Sequence, residues 1–204
     1  MINYFPQIQD NFPTAIQYRV FDITGVWLPN TFELAILIQV RQPGDIAISP
    51  EPYSSPAFIG TAMRWQSPVG TLGRSLKNGA GISNDGKYYV GEGVNEDDFV
   101  IYPPEALITI EPVVGETFEG HSRVFASPTD NTVIHTNFHW QYKTIQHFDT
   151  WGHHFDCWRT GLWEYSSNHV YNYVFAGGVG MVDFWHGTLN ENGQVVGSRF
   201  YFFP

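Results

Sequence analysis

The residues of this chain that could do chemistry are crowded into one half of it. The eight histidines begin only at His121, and His135, His139, His147, His153, His154, His169 and His186 follow. Imidazole ligates metals, so the first question is whether any spacing suits an ion. On a helix His135 and His139 would share a face one turn apart; on a strand, at about 3.3 Å per residue, they stand about 13 Å apart and do not chelate as a pair. A His-based metalloenzyme would need His153, His154 or His186 to converge from neighbouring strands, and no recognised ligand spacing occurs. The sequence assigns no metal and no other cofactor.

Trp140, Trp151, Trp158, Trp163 and Trp185 are gathered in the same half. Aromatic faces suit sugars and flat apolar ligands, because they offer a large contact area at low entropic cost. Trp151, Trp158, Trp163 and Trp185 are therefore candidate ligand-binding residues, joined by His135, Asn137 and His139 from a polar strand face. The competing reading is that these rings pack in the core, as aromatics do on pleated sheets.

Other chemistries find little support. There is no Gly-x-Ser-x-Gly elbow, and Cys157 sits in the aromatic run Phe155-Asp156-Cys157-Trp158, which predicts a buried, inert thiol. Gly70 to Gly81 contains Lys77 but lacks the Gly-Lys-Ser/Thr ending of a phosphate-binding loop. Glu92, Glu96, Asp97 and Asp98 offer carboxylates for glycoside cleavage, but a solvated turn explains the run. No catalytic residue is assigned, and the chain reads as more plausibly not an enzyme.

The elements that must position these residues are strands. Across 204 residues the charged fraction is only 15% while aromatics reach 17%, and Gly, Pro, Asn and Thr recur as turn formers, a texture that predicts short strands joined by turns. A net charge of −10 with only ten scattered Lys and Arg argues against nucleic acid. No apolar run approaches the roughly 20 residues of a spanning helix, so no membrane span is expected and the molecule should be soluble. The opening Met1-Ile2-Asn3-Tyr4-Phe5-Pro6 lacks the basic and apolar regions of a signal peptide, which predicts a cytoplasmic protein or one secreted with its leader removed.

Strands are expected over Phe32–Val40, Tyr88–Val94, Phe99–Tyr102, Thr132–Thr144, Cys157–Tyr165, Val170–Phe175, Gly180–Thr188 and Val195–Phe203. Within Thr132–Thr144, alternation puts Ile134, Thr136, Phe138, Trp140 and Tyr142 on a packed face and His135, Asn137 and His139 on a wet one. Asn192-Gly193 reads as a hairpin turn. The three prolines between Ser49 and Pro56 favour an extended loop, and Gly70–Lys87, rich in Gly, Ser and Asn, reads as a mobile surface loop. No helical period is sustained over three turns.

Two echoes suggest related halves. Tyr18-Arg19-Val20-Phe21 returns as Ser122-Arg123-Val124-Phe125, and Tyr88 to Val94 is echoed by Asn172 to Val179. The resulting expectation is a single all-β domain over residues 1–204, an antiparallel curved half-barrel or β-sandwich with pseudo-repeat halves at about 1–126 and 127–204 and a turn at Ser127–Asn131 near the junction.

Several phrases resemble landmarks of uncharacterised bacterial β-rich proteins, often lipoproteins. They are Tyr4-Phe5-Pro6, Gln17-Tyr18-Arg19-Val20, Tyr102 to Leu107, Pro112 to Phe118, Gly152 to Arg159 and Tyr173 to Val182, spread over most of the chain. The resemblance implies a strongly curved antiparallel sheet and no catalytic residues; the lipobox cysteine and leader of those families are missing here. Gly25-Val26-Trp27 also resembles the opening of lipocalins, without their other landmarks.

The function expected from these readings is a non-enzymatic binding or structural module whose concave aromatic face holds a small apolar or carbohydrate ligand, or packs on a protein partner or another copy. Alternatives are an assembly subunit of a phage or surface structure, presenting Phe200-Tyr201-Phe202-Phe203 as an edge or patch, and the metalloenzyme considered above.

Overall fold

The computed structural model describes residues 14–22, 24–40, 60–66, 76–82, 87–94, 100–102, 105–109, 111–127, 130–153 and 156–203. Among them there are thirteen strands and no helix. A first run comprises β1 (Thr14–Asp22), β2 (Trp27–Val40), β3 (Gly60–Gln66), β4 (Leu76–Ile82), β5 (Lys87–Val94) and β6 (Val100–Tyr102). After β7 (Glu105–Thr109) comes a second run: β8 (Thr117–Ser127), β9 (Asp130–Phe148), β10 (Cys157–Glu164), β11 (His169–Ala176), β12 (Gly180–Leu189) and β13 (Val195–Phe203).

All thirteen strands form one antiparallel sheet in the order β4-β3-β2-β1-β13-β12-β11-β10-β9-β8-β6-β5-β7, and β4 also pairs with β5. A flat sheet cannot bring β4 back to β5, so the sheet curves, as strand twist allows. Of the two expected architectures, the protein takes the curved single sheet. Tyr18 to Phe21 lie in β1 and Ser122 to Phe125 in β8, the first strand of each run. The second echo falls on β5 and β11, the fifth and fourth strands of their runs, and does not line up.

The later strands lie where sequence places them. Asn192-Gly193 turns β12 into β13: Gly193 has φ of 70°, and the Gln194 N–H donates to Asn190 Oδ1 at 2.9 Å. Three expectations need correction. Within the expected loop Gly70–Lys87, Leu76–Ile82 is strand β4. Its glycines carry little strand propensity, but backbone pairing on both sides, Ala62↔Gly79 with β3 and Gly79↔Gly91 with β5, overrides it. The terminal Phe200–Phe203 is not a free edge, because β13 pairs with β1 through Phe203 and with β12 through Tyr201. The segments Ser49–Pro56 and Asn95–Asp98 lie outside the described residues.

The third correction concerns β9. Phe138 pairs with Ser122 but His135 pairs with Val124, so two steps on β8 span three on β9. This bulge reverses the alternation. His135 falls on the side of Phe138, its ring 5.7 Å from the phenyl centroid, and not on the side of His139. Ile134 is 59% exposed, so the packed face begins only at Phe138.

Directly paired residues share a face of the sheet, and the registers give two rows on one side: Gly120, Trp140, Glu164, His169 and Thr188, then Phe118, Tyr142, Leu162, Tyr171 and His186. A third runs through Thr160, Tyr173 and Phe184. Strand β7 lies across this side, where the Thr160 hydroxyl donates to the Leu107 carbonyl at 2.6 Å. All five residues of β7 are buried. A bulge makes this contact available, since Tyr88 pairs with Ile108 and Tyr89 with Ala106, skipping Leu107. This inner face is the core. Tyr142 stacks on Phe118 at 4.4 Å and Phe184 on Tyr173 at 5.1 Å, and each fully buried large side chain contributes about 1.5–3 kcal/mol.

Candidate binding surface

The four candidate tryptophans divide between the two faces. Trp158, two residues from Thr160, shares the inner face and stacks on His147 with ring centroids 4.2 Å apart. His147 is held in turn by Asp156, Nε2 to Oδ1 2.8 Å. Trp151 packs, with Phe148 and Val179, against the buried cluster of Cys157, Val174, Ala176 and Val182. These two indoles serve packing. Cys157 is buried as expected, and burial, reinforced by the Asp156 carboxylate, pushes its thiol up to about 11.

Trp163 and Trp185 are on the outer face and, like Trp151 and Trp158, half buried. The register sets Gly161, Asn172 and Trp185 in one row and Gln141, Trp163 and Val170 in the next. Gly161 is what seats Trp163. A Cβ at 161 would stand 2.7 Å from indole Cη2, so the ring lies in the space a side chain would take. Two strand spacings of about 4.8 Å and a two-residue offset put Trp163 and Trp185 about 12 Å apart at their α-carbons.

Polar groups surround this pair. Tyr165 continues the ladder of β10 along β9, its N–H donating to the His139 carbonyl at 2.9 Å. His139 is thereby sandwiched between Tyr165, at 4.7 Å, and His121, at 4.6 Å. The Tyr165 hydroxyl donates to Gln141 Oε1 at 3.2 Å, and Gln141 Nε2 donates to Glu119 Oε1 at 2.8 Å. His139 Nε2 stands 3.4 Å from Glu119 Oε2, an electrostatic contact not aligned as a hydrogen bond. A patch of rings and amides results, running from His121 to Trp185, with the Gln141 amide held between Tyr165 and Glu119.

Of the residues named from sequence, Trp163, Trp185 and His139 come together on this patch, while Trp151, Trp158 and His135 go elsewhere. Asn137 is exposed beside the β9 bulge. Sequence reasoning missed Glu119, Gln141, Tyr165 and Asn172, which only register brings in. One signal was available: a glycine two residues before a tryptophan on the same strand face, as in Gly161-Leu162-Trp163.

A second titratable cluster lies on the inner face. Glu164 is buried and accepts from Ser167 Oγ, with His169 Nδ1 3.3 Å away. His186 stacks on Tyr171 at 5.5 Å, and burial followed by the nearby His169 lowers its pKa. Among the described residues, no three His, Cys, Asp or Glu side chains are arranged to hold a metal ion.

No family model matches the chain, and no curated protein does. Two solved bacterial structures are similar. A protein from Parabacteroides distasonis, described as a lipoprotein, is 13% identical with a TM-score of 0.46, over 98% of this chain and 97% of that one. A protein from Bacteroides fragilis, described as exported and of YmcC-like fold, is 12% identical with a TM-score of 0.47, over 99% and 98%. Among the described residues, no helix is long and apolar enough to cross a membrane.

Proposed function

We propose that this chain is a non-enzymatic binding module whose site is the outer patch around Trp163 and Trp185. The observation that carries the reading is the pair of half-buried indoles on one sheet face, one of them seated over a glycine. A ring placed there displaces loosely held water from a ligand and costs little entropy, because its position is already fixed. The concave aromatic face is unsuited to the role, since Trp140, Tyr142 and Tyr171 are at most 6% exposed and β7 lies across that face.

The test is binding by the double variant Trp163→Ala, Trp185→Ala, with its melting temperature measured alongside. Both rings are partly solvated, so the variant is expected to fold and to lose at least ten-fold in affinity for any small ligand the native chain holds. A ligand held equally well by native protein and double variant contradicts the reading.

A further inference from the structure

Resting on that reading, we infer that the ligand is a neutral, linear oligosaccharide lying across strands β9 to β12. Three features of the patch select this class. Rings alternate with amides: Trp163 faces Gln141 across β9 and β10, and Trp185 faces Asn172 across β11 and β12. An amide both donates and accepts, which matches the hydroxyl pairs of a sugar, while the C–H face of the same sugar covers an indole. An apolar ligand would instead strip water from Asn172 and from the one N–H of Gln141 not given to Glu119, and return no hydrogen bond, a penalty of about 1–3 kcal/mol per group.

The second feature excludes a peptide added as a strand. Trp163 and Asn172 lie in β10 and β11, each paired on both sides, so the site offers a face and no free backbone edge. The third is charge. Glu119 borders the patch and Lys143 opens the row of Gly161, Asn172 and Trp185, so charges of both signs flank the rings and select for neither an acidic nor a basic polymer. The α-carbons of the two tryptophans, about 12 Å apart, are spaced for a chain rather than a single sugar ring.

The experiment titrates the full chain with cellohexaose, xylohexaose, mannohexaose and chitohexaose, and with an acidic control, oligogalacturonate, by calorimetry and tryptophan emission. At least one neutral hexasaccharide is expected to bind, with Trp163→Ala and Trp185→Ala each weakening it about ten-fold. Asn172→Leu should weaken it while leaving binding of Nile red, an apolar probe, unchanged. Binding of none of the neutral sugars, or preference for the acidic one, overturns the inference. If Nile red then binds and the double tryptophan variant loses it, the patch stands as a binding site and only the sugar assignment falls. If neither probe depends on the two indoles, both readings fall. Trp163→Phe, which keeps a ring, guards against a folding defect and should retain most of the affinity.

Discussion

Trp163 holds its place because residue 161 has no side chain: a β-carbon there would stand 2.7 Å from the indole and 3.0 Å from Ile145 Cδ1. Gly161→Ala should therefore lift the ring off the sheet. We expect a changed tryptophan emission and near-ultraviolet dichroism, with a stability loss of about 1 kcal/mol, since the ring can swing toward solvent. Denaturant unfolding beside the two spectra checks this, and an unchanged spectrum would contradict it.

The same type of contact on the inner face should behave differently. A Cβ at Gly120 would run into the ring of Trp140, which is 3% exposed and whose Nε1 donates to Ser122 Oγ at 2.9 Å. This indole has nowhere to go, so Gly120→Ala should cost about 3 kcal/mol, more than Gly161→Ala. Ser122→Ala, which orphans a buried N–H, should cost about 1–3 kcal/mol. Urea midpoints of the three variants give the ranking.

Acid should act through His186. Burial and the nearby His169 lower its pKa in the folded chain below 6.5, while Glu164 opposes the shift. The unfolded chain then binds the proton first, so stability is full above pH 6.5 and declines as pH falls from there toward the lower folded value. His186→Phe, flanked by Tyr171 and Phe184, should flatten this decline. Melting temperatures at pH 7.5 and 5.5 for both proteins decide; equal drops would remove His186 as the cause.

Two buried groups should titrate late. The Cys157 thiol, near 11, should resist a disulfide reagent at pH 8 until the chain is unfolded. The Tyr142 hydroxyl, which shares a 2.6 Å hydrogen bond with Thr144, is pushed by burial up to about 12. Spectroscopic titration should show a tyrosine ionising near 12, against the ordinary value of 10; its absence in Tyr142→Phe identifies the residue.

Where local chemistry and tertiary pairing agree, the fold is legible in the sequence. Strands β10 to β13 are dense in β-branched and aromatic residues and are separated by turns such as Asn192-Gly193, so hairpin succession predicts their order. Strand β4 is hidden because Gly79 and Gly81 speak for a loop until β3 and β5 pair with it. Strand β7 is hidden because both its faces are buried, which erases the alternation that marks a half-buried strand. At the site, residue type pointed to Trp163, Trp185 and His139. The bulge that separates His135 from His139, and the register that recruits Gln141 and Asn172, depend on partner strands and leave no local trace.

The central claim is that the inner aromatic face is filled core and that the usable rings are outside. Hydroxyl-radical footprinting of the native chain, read residue by residue by mass spectrometry, tests it most directly. Trp163, Trp185 and Tyr165 should be oxidised readily while Trp140, Tyr142 and Tyr171 stay protected. Oxidation of the second group as fast as the first would mean that the concave face is open and that the binding site has been put on the wrong side of the sheet.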